Sequence, residues 1–119
     1  MCIKVLLAED AEPVRKAIRV LLSEREDITL VGEATTLAEA IRKTEELRPD
    51  GIILDLHMAD GAKLHLPAGT KLLAISFAND DEANTLADSI GAARLLDKLE
   101  LASELIPAIL ELAPERAAL

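Results

Sequence analysis

The chain has 119 residues, half of them hydrophobic, with Phe77 as its single aromatic residue and a formal charge of −9. That length suits one domain, spanning 1–119, whose core must be aliphatic. The negative charge argues against direct binding of nucleic acid or an anionic membrane. A lone cysteine, Cys2, excludes an internal disulfide, and neither a signal segment nor a bilayer-length apolar run is read, so the cytoplasm is the expected location.

Short apolar runs alternate with longer stretches of helical period, the pattern of parallel strands joined by crossover helices. Cys2 to Ala8 is nearly all apolar, as for a strand buried on both faces, with Cys2 read as a small buried hydrophobe. It runs into Glu9 and Asp10. Pro13 then suits a first helical turn, and Val14, Ile18, Leu21 and Leu22 recur on one helical face. Thr29 to Ala34 predicts the second strand. Thr36 can cap a helix with Leu37, Ala40, Ile41, Thr44 and Leu47 on one stripe, closed by Pro49 and Gly51.

Gly51 to Leu54 predicts a short buried strand ending at Asp55, and Thr70 to Ser76 another ending in a hydroxyl. Between them, Met58 to Gly69 holds two glycines and a proline and reads as a loop or a stub of helix. Asp80 to Ile90 predicts a helix that Gly91 stops, its acidic start (Asp80, Asp81, Glu82) suited to the helix dipole. Arg94 to Asp97 predicts a last strand, and Leu101 to Leu112 an amphipathic last helix.

Open parallel sheets bind ligands at the carboxyl ends of their strands. Those ends carry Glu9, Asp10, Asp55, Ser76 and Lys98. Gathered carboxylates must either raise their pKa values or share a cation, and a set of oxygen ligands suits Mg2+. Attack of Asp55 on phosphorus would give an acyl phosphate, a reaction that needs a metal, a cation and a hydroxyl donor nearby. Glu9 and Asp10 would hold the metal against Asp55, with Lys98 as the cation and Ser76 as the hydroxyl. His57 and His65 lack a metal-pair spacing and read as surface or loop residues.

These positions resemble the response-regulator receiver family from Ile3 to about Leu112. Glu9 and Asp10 look like its metal-binding pair, Asp55 like its phosphoacceptor, Ser76 like its Thr/Ser switch residue and Lys98 like its pocket lysine. The resemblance further implies a flavodoxin-like doubly wound five-stranded parallel sheet of order 2-1-3-4-5, and a metal contact from the backbone carbonyl of His57. The segments LLAEDAEPVRKAIRVLL and LVGEATTLAEAIRKTEELRPDGIILDLHM look most like receivers that precede helix-turn-helix output domains. As partners it implies a sensor histidine kinase or phosphotransfer protein, and a downstream protein docked on the last two helices and the strand between them. Homodimerisation stays open. Such a domain catalyses only its own phosphotransfer, and its own dephosphorylation at most.

Three departures from the family bear on switching, and a further one, Phe77, on the lifetime of an acyl phosphate. Leu99 stands where proline usually follows the lysine, and a cis bond before leucine would cost about 3 kcal/mol, so a trans or strained cis bond is expected. Leu95 replaces the switch aromatic. Asp55 and Ser76 are closer in sequence than is usual, and Ala59 replaces a proline, which predicts a third helix reduced or absent. Phe77 stands where a small residue is usual, and its ring could screen an acyl phosphate from water.

Competing readings are a receiver-like interaction module that needs no phosphorylation, a Toprim-type phosphodiester enzyme and a flavin-binding domain. The second wants a further acid where His57 stands. The third wants a phosphate loop in place of Glu9 and Asp10.

Overall fold

The computed structural model describes residues 2–59 and 64–112; residues 60–63, inside the stretch read as a loop or stub, lie outside that description. The apolar runs become five parallel strands: β1 (Ile3–Ala8), β2 (Ile28–Ala34), β3 (Gly51–Asp55), β4 (Lys71–Ser76) and β5 (Arg94–Asp97). Their order is β2-β1-β3-β4-β5, as expected. Between them run α1 (Glu12–Ser23), α2 (Leu37–Leu47), α3 (Leu56–Ala59) and α4 (Asp81–Ser89); a 3-10 turn at Lys98–Glu100 leads into α5 (Leu101–Leu110). The third helix is reduced to a single turn.

Alternation along each strand builds two aliphatic cores. Ile3, Val5 and Leu7 of β1 face Ile18 and Leu22 of α1 and Leu105 and Ile109 of α5. Leu6 and Ala8 face the other way, toward Ala40 of α2, Leu56 of α3, and Ala83 and Ala87 of α4. Each fully buried leucine or isoleucine contributes about 1.5–3 kcal/mol relative to exposure. Covering both faces explains why the central strands β1, β3 and β4 are apolar along most of their length, whereas the edge strand β2 carries Thr29 and Glu33.

Local chemistry sets the helix limits. Thr36 accepts from the Glu39 amide at 3.1 Å, while Glu39 Oε1 accepts from the Thr35 amide at 2.8 Å. Asp80 caps α4 through the Ala83 amide at 2.9 Å, and Gly91 follows with φ 79. At the end of α2 the reversal is made one residue earlier than Pro49 suggests. Arg48 takes the left-handed conformation at φ 44, and its amide donates to Thr44 O. Holding an L residue there costs about 1 kcal/mol, after which Pro49 bars continuation.

Two expectations about burial are corrected. Cys2 is exposed and is not a core residue, because the ladder starts one residue later with Ile3 opposite Ile28. Its Sγ lies 2.7 Å from Thr29 Oγ1. Leu47 is 41 % exposed, since α2 ends with it and only part of its side chain reaches back over Gly32. Among the described residues, no helix is long and apolar enough to cross a membrane, and there is no cis peptide bond, so Lys98–Leu99 is trans.

Candidate functional site

Strand register assembles the site. Ala8 pairs with Leu54, which places Glu9 beside Asp55 where β1 and β3 end. Asp55 pairs with Ile75, and Ser76 with Asp97, so Ser76 and Lys98 follow at the ends of the next two strands. Glu9, Asp10 and Asp55 each bring a carboxylate oxygen within 4.8 Å of the others. Glu9 is fully buried and Asp55 nearly so, whereas Asp10 is exposed.

Lys98 reaches into this cluster despite its trans bond to Leu99. Its Nζ lies 2.6 Å from Glu9 Oε1 and 3.3 Å from Asp55 Oδ1, with the lysine side chain 6 % exposed. Among the described residues, the Lys98 ammonium is the one polar partner of Glu9 Oε1. Its Oε2 accepts from the Ala11 amide at 3.1 Å. Burial pushes the Glu9 carboxyl above its ordinary range and the Asp55 charge adds to the rise, while Lys98 and the Ala11 amide oppose it.

Asp55 Oδ1 accepts from the His57 amide at 3.2 Å. No hydrogen bond or ion pair engages Asp55 Oδ2 among the described residues. The His57 and His65 side chains are exposed, as read from the sequence. Ser76 Oγ accepts from the Ala78 amide at 3.0 Å, which is the turn-capping role. A hydroxyl can accept one bond and donate another, so its proton remains available to a ligand. Beside it a cleft of about 310 Å³ opens between α3 and α4, lined by His57, Ala78 and Glu82 among others.

Two contacts escaped the sequence reading. The Lys98 ammonium sits 5.1 Å from the centroid of the Phe77 ring, which is 61 % exposed. Phe77 was noticed for its size, but its pairing with Lys98 depends on how β4 and β5 lie together. Arg15 was not singled out at all. Its Nη1 donates to the carbonyls of Glu9 at 2.9 Å and Asp10 at 3.1 Å. In sequence it looks like any charged residue on a helix, and nothing in its spacing marks a grip on backbone oxygens.

The donor set fits a hard divalent cation: only carboxylate oxygens are offered, and two of the three acids are buried side by side with a single lysine to offset them.

Comparison with known proteins shows the family and the fold. Residues 5–110 match the family model of the response regulator receiver domain. The response regulator protein VraR of Staphylococcus epidermidis is 38% identical over 117 residues, covering 92% of this chain and 56% of that protein. VraR of Staphylococcus aureus is 40% identical over 97 residues, covering 75% of the chain and 46% of the relative. The chain thus spans about half the length of these curated relatives. Among solved structures, the non-phosphorylated receiver domain of the stress response regulator RcsB from Escherichia coli aligns with a TM-score of 0.82, at 20% identity and 94% and 93% coverage. The response regulator domain of Thermotoga maritima CheB gives 0.76, at 22% identity and 93% and 96% coverage. These two likenesses speak for the fold, and the family match and the closer relatives for membership: the chain belongs to the response regulator receiver domains of two-component systems.

Proposed function

We propose that Asp55 accepts a phosphoryl group from a phosphohistidine on a sensor kinase or phosphotransfer protein, with Mg2+ held by Glu9, Asp10, Asp55 and the His57 backbone carbonyl. The observation that carries this is the buried Asp55 carboxylate flanked by a second acid, by Lys98 and by a free oxygen of its own. Mg2+, when bound, would neutralise charge spread over the transferring phosphoryl oxygens.

The chain's own residues account for the remaining steps. Lys98 and the His57 amide hold Asp55 Oδ1, which fixes the carboxylate plane and leaves Oδ2 to meet phosphorus. As the new O–P bond forms, the P–N bond breaks and its electron pair stays on the departing imidazole nitrogen. Ser76 can donate its hydroxyl proton to a phosphoryl oxygen while still accepting from Ala78. Lys98 is close enough to move from Glu9 to the new anionic group.

On this reading the domain acts on itself alone, catalysing its own phosphotransfer and at most its own dephosphorylation. Residues 1–119 form one receiver domain on this reading, which works in the cytoplasm and itself binds neither nucleic acid nor membrane directly. A downstream protein is engaged by the face formed by α4, β5 and α5; homodimerisation is compatible with the same reading. The test is labelling with acetyl phosphate and Mg2+, read by intact mass. Wild type should gain one phosphoryl group and Asp55→Ala none; an equally labelled variant would refute Asp55 as acceptor.

A second reading, a receiver-like module independent of phosphorylation, is favoured by Leu95 in place of a switch aromatic. That leucine is half-buried against the core beneath α4. Wild type that stays unlabelled would support it.

A further inference from the structure

The Asp10 carboxylate is the one acid of the cluster whose side chain nothing holds: among the described residues it has neither hydrogen-bond nor ion-pair partner. Its backbone is held instead. The glutamate carbonyl before it and its own carbonyl belong to the two peptide planes that flank Asp10, and both accept from Arg15 Nη1, at 2.9 and 3.1 Å. Drawing both carbonyls to one nitrogen fixes the two dihedral angles of Asp10, and with them the direction in which its side chain leaves the main chain.

Arg15 can do this because it is itself locked. Its side chain is only 11 % exposed; Nη2 pairs with Glu12 and Nε lies 3.6 Å from Glu33 Oε1. Glu33, near the end of β2, is in turn gripped by Arg19 through two bonds of 2.9 Å each. A planar guanidinium engaged on several sides has little freedom left, which a lysine ammonium on a flexible stem would not reproduce. The Glu9 amide adds a further anchor, donating to Ala34 O at 3.0 Å, so the whole turn is tied to β2.

We infer that Arg15 is a positioning residue for the divalent cation, preorganising Asp10 as a ligand through the backbone and not through contact with the ion. This rests on the assignment of the acidic cluster as a Mg2+ site. A purely electrostatic role predicts the opposite sign: Arg15 is a cation near a cation site, so its removal should tighten Mg2+ binding. Loss of an outer partner that orients a ligand instead weakens metal affinity, by about 10- to 100-fold in known sites.

The experiment is a Mg2+ titration of the unphosphorylated protein, by calorimetry and by the amide signals of Glu9, Asp10 and Ala11, on wild type, Arg15→Ala, Arg15→Lys and Arg25→Ala, the last removing an arginine paired with Asp27 at the opposite end of the sheet. Arg15→Ala should bind about tenfold or more weakly, Arg15→Lys should fall between it and wild type, and Arg25→Ala should stay within about twofold of wild type. Unchanged or tighter binding by Arg15→Ala would overturn the inference, as would an equal loss in Arg25→Ala, which would assign the effect to loss of any surface arginine. Should Arg15→Ala fail to fold, Arg15→Lys decides alone, and affinity equal to wild type counts against the inference. Wild type that binds no Mg2+ would overturn the metal site as well, whereas a wild type that binds while Arg15→Ala matches it defeats this inference only.

Discussion

Lys98 is nearer to Glu9 than to Asp55: its Nζ stands 2.6 Å from Glu9 Oε1 and 3.3 Å from Asp55 Oδ1. In the unphosphorylated protein the ammonium therefore compensates the most deeply buried acid of the cluster. Removing one partner of a buried pair leaves an uncompensated charge, which costs about 3–5 kcal/mol. Lys98→Met should lower the midpoint of thermal unfolding in metal-free buffer. Mg2+ should then raise that midpoint more in the variant than in wild type, because a cation can occupy the space the ammonium leaves. Equal responses to Mg2+ would show that Lys98 and the ion do not share Glu9.

The raised Glu9 pKa gives a pH dependence of definite sign. Between the ordinary glutamate value of 4.5 and the raised value, the folded protein binds more protons at Glu9 than the unfolded chain does. Its contribution to stability is therefore full below 4.5 and falls as pH rises through the folded value. Urea unfolding without divalent ions, on wild type and Glu9→Gln across a pH series, isolates this group. The stability of wild type relative to the variant should decline as pH rises above 4.5. A relative stability that climbs with pH over that range would mean the carboxylate is favoured in its ionised form.

Phe77 should slow loss of the phosphoryl group. Its ring lies 5.1 Å from the Lys98 ammonium, beside the mouth of the pocket, and a cation–π contact at an exposed ring is worth about 0.5–1 kcal/mol. Phe77→Ala should shorten the half-life of phosphorylated protein by about two- to fivefold, measured by intact mass after the phosphodonor is removed. A half-life of seconds in wild type, unchanged in the variant, would remove the ring from the account.

Ser76 offers a narrower test. Its oxygen caps the Ala78 amide, so Ser76→Ala loses a turn contact as well as a donor to the phosphoryl group. Ser76→Thr keeps both. Labelling by acetyl phosphate should slow by about tenfold or more in the alanine variant and recover in the threonine one. Slow labelling in both variants would trace the effect to packing around β4 and not to the hydroxyl.

Much of this was legible in the sequence because strand ends are marked by a change from apolar to polar residues. The runs ending at Ala8, Leu54 and Ile75 give way to Glu9, Asp55 and Ser76, and the sheet brings those residues to one edge. The Thr36 cap was readable for a similar reason, since a short polar side chain just before a helical period has one common use, whereas Asp80 read only as part of an acidic helix start. Arg15 and the division of Lys98 between two acids were not readable. The Lys98 distances of 2.6 and 3.3 Å are set between elements far apart in the chain, and the grip of Arg15 on carbonyls five and six residues before it depends on the path of the turn between β1 and α1; residue type encodes neither. Cys2 misled because apolar character continues one residue beyond the ladder that would bury it. Arg48 at φ 44 was hidden by Pro49, which gives the same stop signal at the neighbouring position.

The central claim is that acids from separate strand ends gather a divalent ion so that Asp55 can carry phosphorus. Beryllofluoride with Mg2+ mimics the resulting acyl phosphate, and the amide spectrum of the protein reports on it directly. The account predicts Mg2+-dependent shifts at Asp10, Asp55, Ser76 and Lys98. A spectrum unchanged at all four by beryllofluoride and Mg2+ together would contradict it.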